Sequence, residues 1–230
     1  AIQIKPDYAE AWNNLGSAMS AQNWFKDAIE HYRHALKLKP DYAEAWSNLG
    51  GVMEIIGEFN TSIESYRQAL KYKPDYNIAF SNLLYLLSYN VVCSPEQILE
   101  EHRNWGRIHE EKQKIHNFSH IKPTNPNKRL RIGYVSSDFR KHALSFFFEP
   151  ILRNHDKSHV EIYCYSNVNE PDDTTERLKT MADEWCSTLE MNDTEVAQKI
   201  YDDKIDILID LAGHTAKNRL IIFSYKPAPI

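Results

Sequence analysis

The sequence predicts an all-α repeat solenoid followed by an α/β domain with a parallel, Rossmann-like sheet. Two observations carry this. A seven-residue signature returns every 34 residues in the first part of the chain, and short apolar strands alternate with helices in the last part. Between them lies Lys122-Pro123-Thr124-Asn125-Pro126-Asn127-Lys128, a stretch with the composition of a linker.

The repeat begins at Pro6-Asp7-Tyr8-Ala9-Glu10-Ala11-Trp12. It returns as Pro40-Asp41-Tyr42-Ala43-Glu44-Ala45-Trp46 and, more loosely, as Pro74-Asp75-Tyr76-Asn77-Ile78-Ala79-Phe80. Within one period the order is Trp12, Leu15, Gly16, Ala28, Tyr32, Ala35 and Pro40, matched in the next by Trp46, Leu49, Gly50, Ser62, Tyr66, Ala69 and Pro74. Period and order are those of the tetratricopeptide repeat, a helical pair. Gly16 and Gly50 are expected to let the two helices approach, the aromatic residues to fill the space between them, and the prolines to mark the hand-over between repeats. The opening residues 1–6 align with the end of the following repeat, so the expectation is that further repeats precede Ala1. Repeats that grip peptides place an asparagine on the first helix of each unit. The matching residues are Asn14, Asn48 and Asn82, whose carboxamides suit a peptide backbone of any sequence. The alternative is that they are solvated polar positions.

The repeat pattern fails after Leu87. Ser94-Pro95-Glu96-Gln97 reads as a helix start, with serine as cap and proline in the first turn, and helical periodicity runs to about Lys114. The domains are therefore read as repeats over 1–92, a connecting helix and linker over 93–127, and the α/β region over 128–230. In that region strands are expected at residues 130–135, 160–165 and 205–211, with helices near 145–154, 173–184 and 193–203. Ligands of such sheets bind at the carboxyl ends of the strands, where Asp138, His142 and His214 fall.

Composition narrows the partners. The 230 residues carry a net charge of -5. This excludes the basic excess of a nucleic-acid binder and points to a protein or small-molecule partner. No apolar run approaches the ~20 residues of a membrane span, and no secretory signal opens the chain, so no membrane partner is expected. Cys93, Cys164 and Cys186 have no metal-ligand spacing and read as reduced thiols of a cytoplasmic protein. The sequons at Asn60, Asn117 and Asn192 are accordingly expected to be unused. The pairs His31/His34 and His116/His120 lack a third ligand, so no metal is expected. Glu110-Glu111 and Asp202-Asp203 read as solvated faces.

The residues Leu130-Arg131-Ile132-Gly133-Tyr134-Val135-Ser136-Ser137-Asp138-Phe139, with His142 close behind, are followed by Asp210-Leu211-Ala212-Gly213-His214-Thr215 and Pro227-Ala228-Pro229-Ile230. Behind a tetratricopeptide array, these motifs resemble the O-GlcNAc transferases and SPINDLY-type O-glycosyltransferases of glycosyltransferase family 41. The second loop is more similar to bacterial and plant members than to the animal enzyme, which has tyrosine where His214 stands. The resemblance implies an inverting, metal-independent enzyme of the GT-B fold that uses no cofactor and moves a sugar from a nucleotide donor to Ser or Thr hydroxyls of proteins. It implies catalytic roles for His142 and His214, and places Ser136, Ser137, Asp138 and Thr215 on the loops that meet donor and acceptor. The donor is expected to be UDP-GlcNAc, with GDP-fucose as the alternative, and a non-catalytic repeat adaptor is the competing class. The nucleotide-holding second lobe is expected beyond Ile230, so residues 1–230 alone are expected to be inactive and to need a complementary C-terminal half.

Overall fold

A computed structural model describes residues 7–89, 93–113, 118–120 and 128–230. Residues 1–6, the sequon at Asn117, His116 and most of the linker lie outside the described residues. The chain divides into two compact units, Ala1–Ile108 and His109–Ile230.

The first unit is built of helix pairs, α1 (Ala9–Ala21) with α2 (Phe25–Leu38) and α3 (Ala43–Ile55) with α4 (Phe59–Tyr72), followed by α5 (Asn77–Tyr89) and the greater part of α6 (Pro95–Gln113), whose last turn falls in the second unit. The period extends to bonds as well as residues. Lys39 pairs with Glu10 at 3.3 Å and Lys73 with Glu44 at 2.8 Å, one repeat later, and each lysine also lies over a tyrosine ring, Tyr42 or Tyr76. Exposed pairs of this kind contribute less than about 1 kcal/mol each. The turns inside the repeats also correspond. Asn23 (φ 63°) and Gly57 (φ 84°) both adopt the left-handed conformation that ends a helix, which Gly and Asn tolerate best. The next N–H, of Trp24 or Glu58, then donates to Met19 or Met53 O at 2.9 and 2.8 Å. At the start of α6 the expected cap forms reciprocally, the Gln97 N–H donating to Ser94 Oγ and the Ser94 N–H to Gln97 Oε1.

The second unit holds β1 (Leu130–Ser136), α7 (Ala143–Asn154), β2 (Val160–Ser166), α8 (Asp173–Lys179), β3 (Glu184–Ser187), α9 (Asp193–Asp202), β4 (Ile207–Asp210) and α10 (Ile221–Ser224). The four strands form one parallel sheet in the order β3-β2-β1-β4. Alternation along the strands sends Ile132, Tyr134, Ile162 and Cys164 to one face, where Phe148, Leu152 and Leu178 of α7 and α8 cover them. Val135, Tyr163 and Tyr165 face the other way, under Val196, Ile200 and Ile222 of α9 and α10. Helices thus cover both faces, as a parallel sheet requires. No described helix is long and apolar enough to cross a membrane.

The structure corrects two readings. The helix expected over 173–184 stops at Lys179, where Thr180 Oγ1 bonds back to Arg177 O, and residues 184–187 pair with β2 as an edge strand. Asp203 is no solvated face: its carboxylate accepts from the Tyr165 hydroxyl (2.8 Å) and from Lys199, and its carbonyl from Arg131.

The glycine contacts generate a stability test. A Cβ at Gly16 would lie 2.7 Å from the Tyr32 ring, and one at Gly50 2.8 Å from the Tyr66 ring, with both tyrosines buried. Gly51, beside them, has nothing nearer than the Tyr66 hydroxyl at 3.7 Å. Gly16→Ala and Gly50→Ala are expected to destabilise the repeats by about 1–3 kcal/mol in urea denaturation. Gly51→Ala should be neutral or stabilising by up to about 1 kcal/mol, since alanine is the better helix former.

Candidate functional site

The site is built at the carboxyl edge of the sheet. β1 ends in Ser136, and Ser137 follows it; both are buried. Ser136 Oγ accepts from the Asp138 N–H at 3.0 Å, which turns the chain out of the sheet. Phe139 then plunges back. It is fully buried, with its ring 5.1 Å from Phe148 and 5.3 Å from Trp185. That burial fixes the loop, and the Lys141 N–H adds a 2.7 Å bond to Asp172 Oδ2, the side chain that also caps α8. The half-buried Asp138 carboxylate lies 3.8 Å from Arg140, with the Ser137 hydroxyl 3.5 Å from its Oδ2.

His142 follows as the N-cap of α7. Its Nδ1 accepts from the Leu144 N–H at 3.3 Å, while its carbonyl accepts both the N–H and the hydroxyl of Ser145. A neutral imidazole that accepts through Nδ1 carries its proton on Nε2. The exposed edge of His142 is therefore a donor.

The second loop leaves β4 at Asp210, which lies in register with Val135. Asp210 Oδ2 accepts from the Gly213 N–H, and Gly213 and Lys217 both take positive φ, 57° and 61°. Thr215 spends its hydroxyl on Ala212 O at 2.7 Å. Arg219 anchors the far end of this loop: its guanidinium donates to Asp193 Oδ1 and to the carbonyls of Thr188 and Met191. Two bonds join this loop to the strand ends beside it, Ser137 Oγ to Ala216 O (3.4 Å) and Asn167 Nδ2 to Lys217 O (3.3 Å). The two motif loops, more than seventy residues apart in sequence, therefore meet above β1 and β4. His214 lies half-buried on the second of them.

The asparagines in the repeats differ among themselves. Asn14 is exposed, whereas Asn48 and Asn82 are half-buried. Asn48 Nδ2 donates to Asn13 Oδ1 at 3.0 Å, so part of its hydrogen-bonding capacity joins α3 to α1. Among the histidine pairs, His31 and His34 both pack on the Trp12 ring, at 5.4 and 4.2 Å, and His120 Nε2 lies 2.8 Å from Lys226 O. No cluster of three metal-ligating side chains occurs among the described residues.

Asp210 is the residue that motif reading quoted without giving a role. Its Oδ1 is buried with no hydrogen-bond partner among the described residues. Burial pushes its carboxyl above the usual range, and the Gly213 and Ala212 N–H groups pull part of the way back. A carboxyl raised in the fold binds its proton more tightly there than in the unfolded chain. Stability then falls as pH climbs from the ordinary value near ~3.9 to the folded value, and the penalty is complete above it. Asp210→Asn is expected to raise the thermal midpoint at pH 7 and to lose that advantage near pH 3. A variant less stable than the parent at pH 7 would show that the charge is not the cost.

Comparison with known proteins places the chain in a family. The model of glycosyl transferase family 41 matches residues 82–230, and tetratricopeptide-repeat models match residues 20–54 and 43–76. The probable UDP-N-acetylglucosamine–peptide N-acetylglucosaminyltransferase SPINDLY of Petunia hybrida is 34% identical over 152 residues, 64% of this chain and 16% of its own length. The probable enzyme of the same kind named SEC, from Arabidopsis thaliana, is 40% identical over 104 residues, 45% of this chain and 11% of its own. A solved mutant of the Thermobaculum terrenum O-GlcNAc transferase superposes with a TM-score of 0.80 at 34% identity, covering 100% of this chain and 44% of that one. The chain thus spans less than half the length of these relatives. With the family model covering well over half of it, the chain belongs to glycosyl transferase family 41.

Proposed function

We propose that this chain is part of a protein O-glycosyltransferase that moves GlcNAc from UDP-GlcNAc to Ser or Thr hydroxyls of proteins held by its repeats through Asn14, Asn48 and Asn82. The observation that carries the reading is the Ser137–Ala216 bond, which joins the two family motif loops at the carboxyl edge of the sheet. The reaction we assign is a direct displacement. The acceptor oxygen forms its bond to the sugar C1 from the face opposite the nucleotide, the bond from C1 to the diphosphate oxygen breaks, and its electron pair leaves with UDP. The hydroxyl proton passes to a base.

The two histidines suit different halves of this step. His142, with Nδ1 engaged by the Leu144 N–H, offers an N–H donor at Nε2 to a donor-sugar or phosphate oxygen. His214, half-buried on the second motif loop, is the better candidate to accept a proton, since the Nδ1 of His142 is already engaged as a cap. Asp210 holds the His214 loop through Gly213. Ser136 and Asp138 shape the first loop, and Thr215 closes the turn after His214. No metal or cofactor enters the scheme.

The test is initial-rate glycosylation of a protein acceptor by a family-length enzyme carrying these residues, with UDP-GlcNAc and GDP-fucose offered in parallel. His142→Ala and His214→Ala are each expected to slow transfer by about 10²–10⁴. His142→Asn keeps both the cap and a donor, whereas His142→Asp keeps the cap alone, so the asparagine variant should be the more active. Unchanged turnover in both alanine variants would remove the histidines from the reaction, and transfer from GDP-fucose alone would replace the donor.

A further inference from the structure

Two cavities of the first unit lie away from its asparagines. One of 480 Å³ and another of 370 Å³ run along the furrow between α2 and α4 and share Arg33 and Thr61, so they form one groove. Its floor is apolar, with Leu36, Trp46 and Leu49 at one end and Ile29, Met53 and Ile56 at the other. At 100° per residue, Trp46, Leu49 and Met53 lie on the side of α3 away from Asn48, so this is a second face of the repeats.

The rims of the groove carry opposite charge. Lys26, Arg33 and Lys37, with Glu30 among them, line the α2 side, while Glu58 and Glu64 line the α4 side. All six are exposed. The ion pairs among the described residues of this unit run elsewhere, as Lys39–Glu10, Lys73–Glu44, Arg67–Glu101 and Arg107–Glu100. The two rims thus face each other across apolar ground without neutralising one another.

We propose that this groove docks an amphipathic helix of a partner protein, with an apolar stripe on the floor, an acidic flank against α2 and a basic flank against α4. The dimensions fit. Lys26 to Lys37 spans about 16 Å, three turns of helix, and Ile29 to Leu36 about 10.5 Å, the spacing of side chains seven residues apart on a docked helix. Turning the helix end for end exchanges its flanks, so the charges set its direction and exclude a helix charged alike on both sides. The groove is independent of the transferase reading.

The probe is a fluorescein-labelled, alanine-based helical peptide with leucines at i, i+4 and i+7, glutamates along one flank and lysines along the other. Fluorescence anisotropy with the present chain should show binding, at least about tenfold weaker for two peptides of the same leucine pattern flanked only by glutamate or only by lysine. Arg33→Glu combined with Lys37→Glu should abolish the preference for the mixed peptide. Lys71→Glu, a charge reversal on α4 outside the groove, should leave it intact, with circular dichroism confirming the helices in each variant. No binding, equal affinity for the three peptides, or equal loss with Lys71→Glu would overturn the proposal. A dimer in analytical ultracentrifugation that Arg33→Glu dissolves would assign the groove to a second copy instead.

Discussion

The parallel pairing of β1 with β2 on one side and β4 on the other is the constraint on which the candidate site rests. Because all three strands run the same way, their last residues emerge at one edge, and Val135 opposite Asp210 sets the two motif loops side by side. An antiparallel β4 would send the His214 loop to the opposite end of the sheet. The register alone does not shape the loops. For that the fold uses Phe139, buried against Phe148 and Trp185, so that the loop after β1 must leave the sheet, dip into the core and emerge again at Arg140. A fully buried aromatic side chain is worth roughly 1.5–3 kcal/mol relative to an exposed one. That is enough to hold a short loop whose other ties are single hydrogen bonds.

The repeats obey a parallel logic with different material. There the determining contact is a glycine against a tyrosine ring, Gly16 on Tyr32 and Gly50 on Tyr66, which draws the two helices of a unit together. Burial raises the pKa of both tyrosines, and each hydroxyl finds a partner, Ser17 for Tyr32 and Glu54 for Tyr66. The two rings serve the same packing role with different polar neighbours. The period therefore conserves the volume at this point, while the polar ends vary.

How much was legible follows from the same physics. The 34-residue period, the strands at 130–135 and 160–165, and the Ser94 cap could be read because each is a local pattern with a local cause. β3 could not. Four residues, Glu184 to Ser187, are too few to show an alternation, and only their pairing with Tyr163–Ser166 makes them a strand. Asp203 was misread for a related reason: Lys199 is its neighbour one helical turn back, but Tyr165 and Arg131 reach it from strands distant in sequence. Asn48 shows the limit from the other side. The spacing identified the position, but not that its amide would be turned toward Asn13 of the preceding repeat. The motif loops were legible as motifs. Arg219, which ties the second loop to Asp193 and the carbonyls of Thr188 and Met191, was not, because no short pattern announces an anchor.

The two histidines, alike in the sequence, are differentiated by the backbone beneath them. His142 begins a helix, and its Nδ1 takes the place that a serine or aspartate oxygen usually fills at an N-cap. That bond leaves the Nε2 edge of the exposed ring as the one that can meet a ligand. His214 stands on a loop held by its neighbours, through Asp210 to Gly213, Thr215 to Ala212 and Arg219 to three acceptors. In the transfer we propose, a proton must be taken from the acceptor hydroxyl as negative charge builds on the departing diphosphate. The capping ring is suited to meet that charge with a donor, and the ring on the braced loop is suited to take the proton.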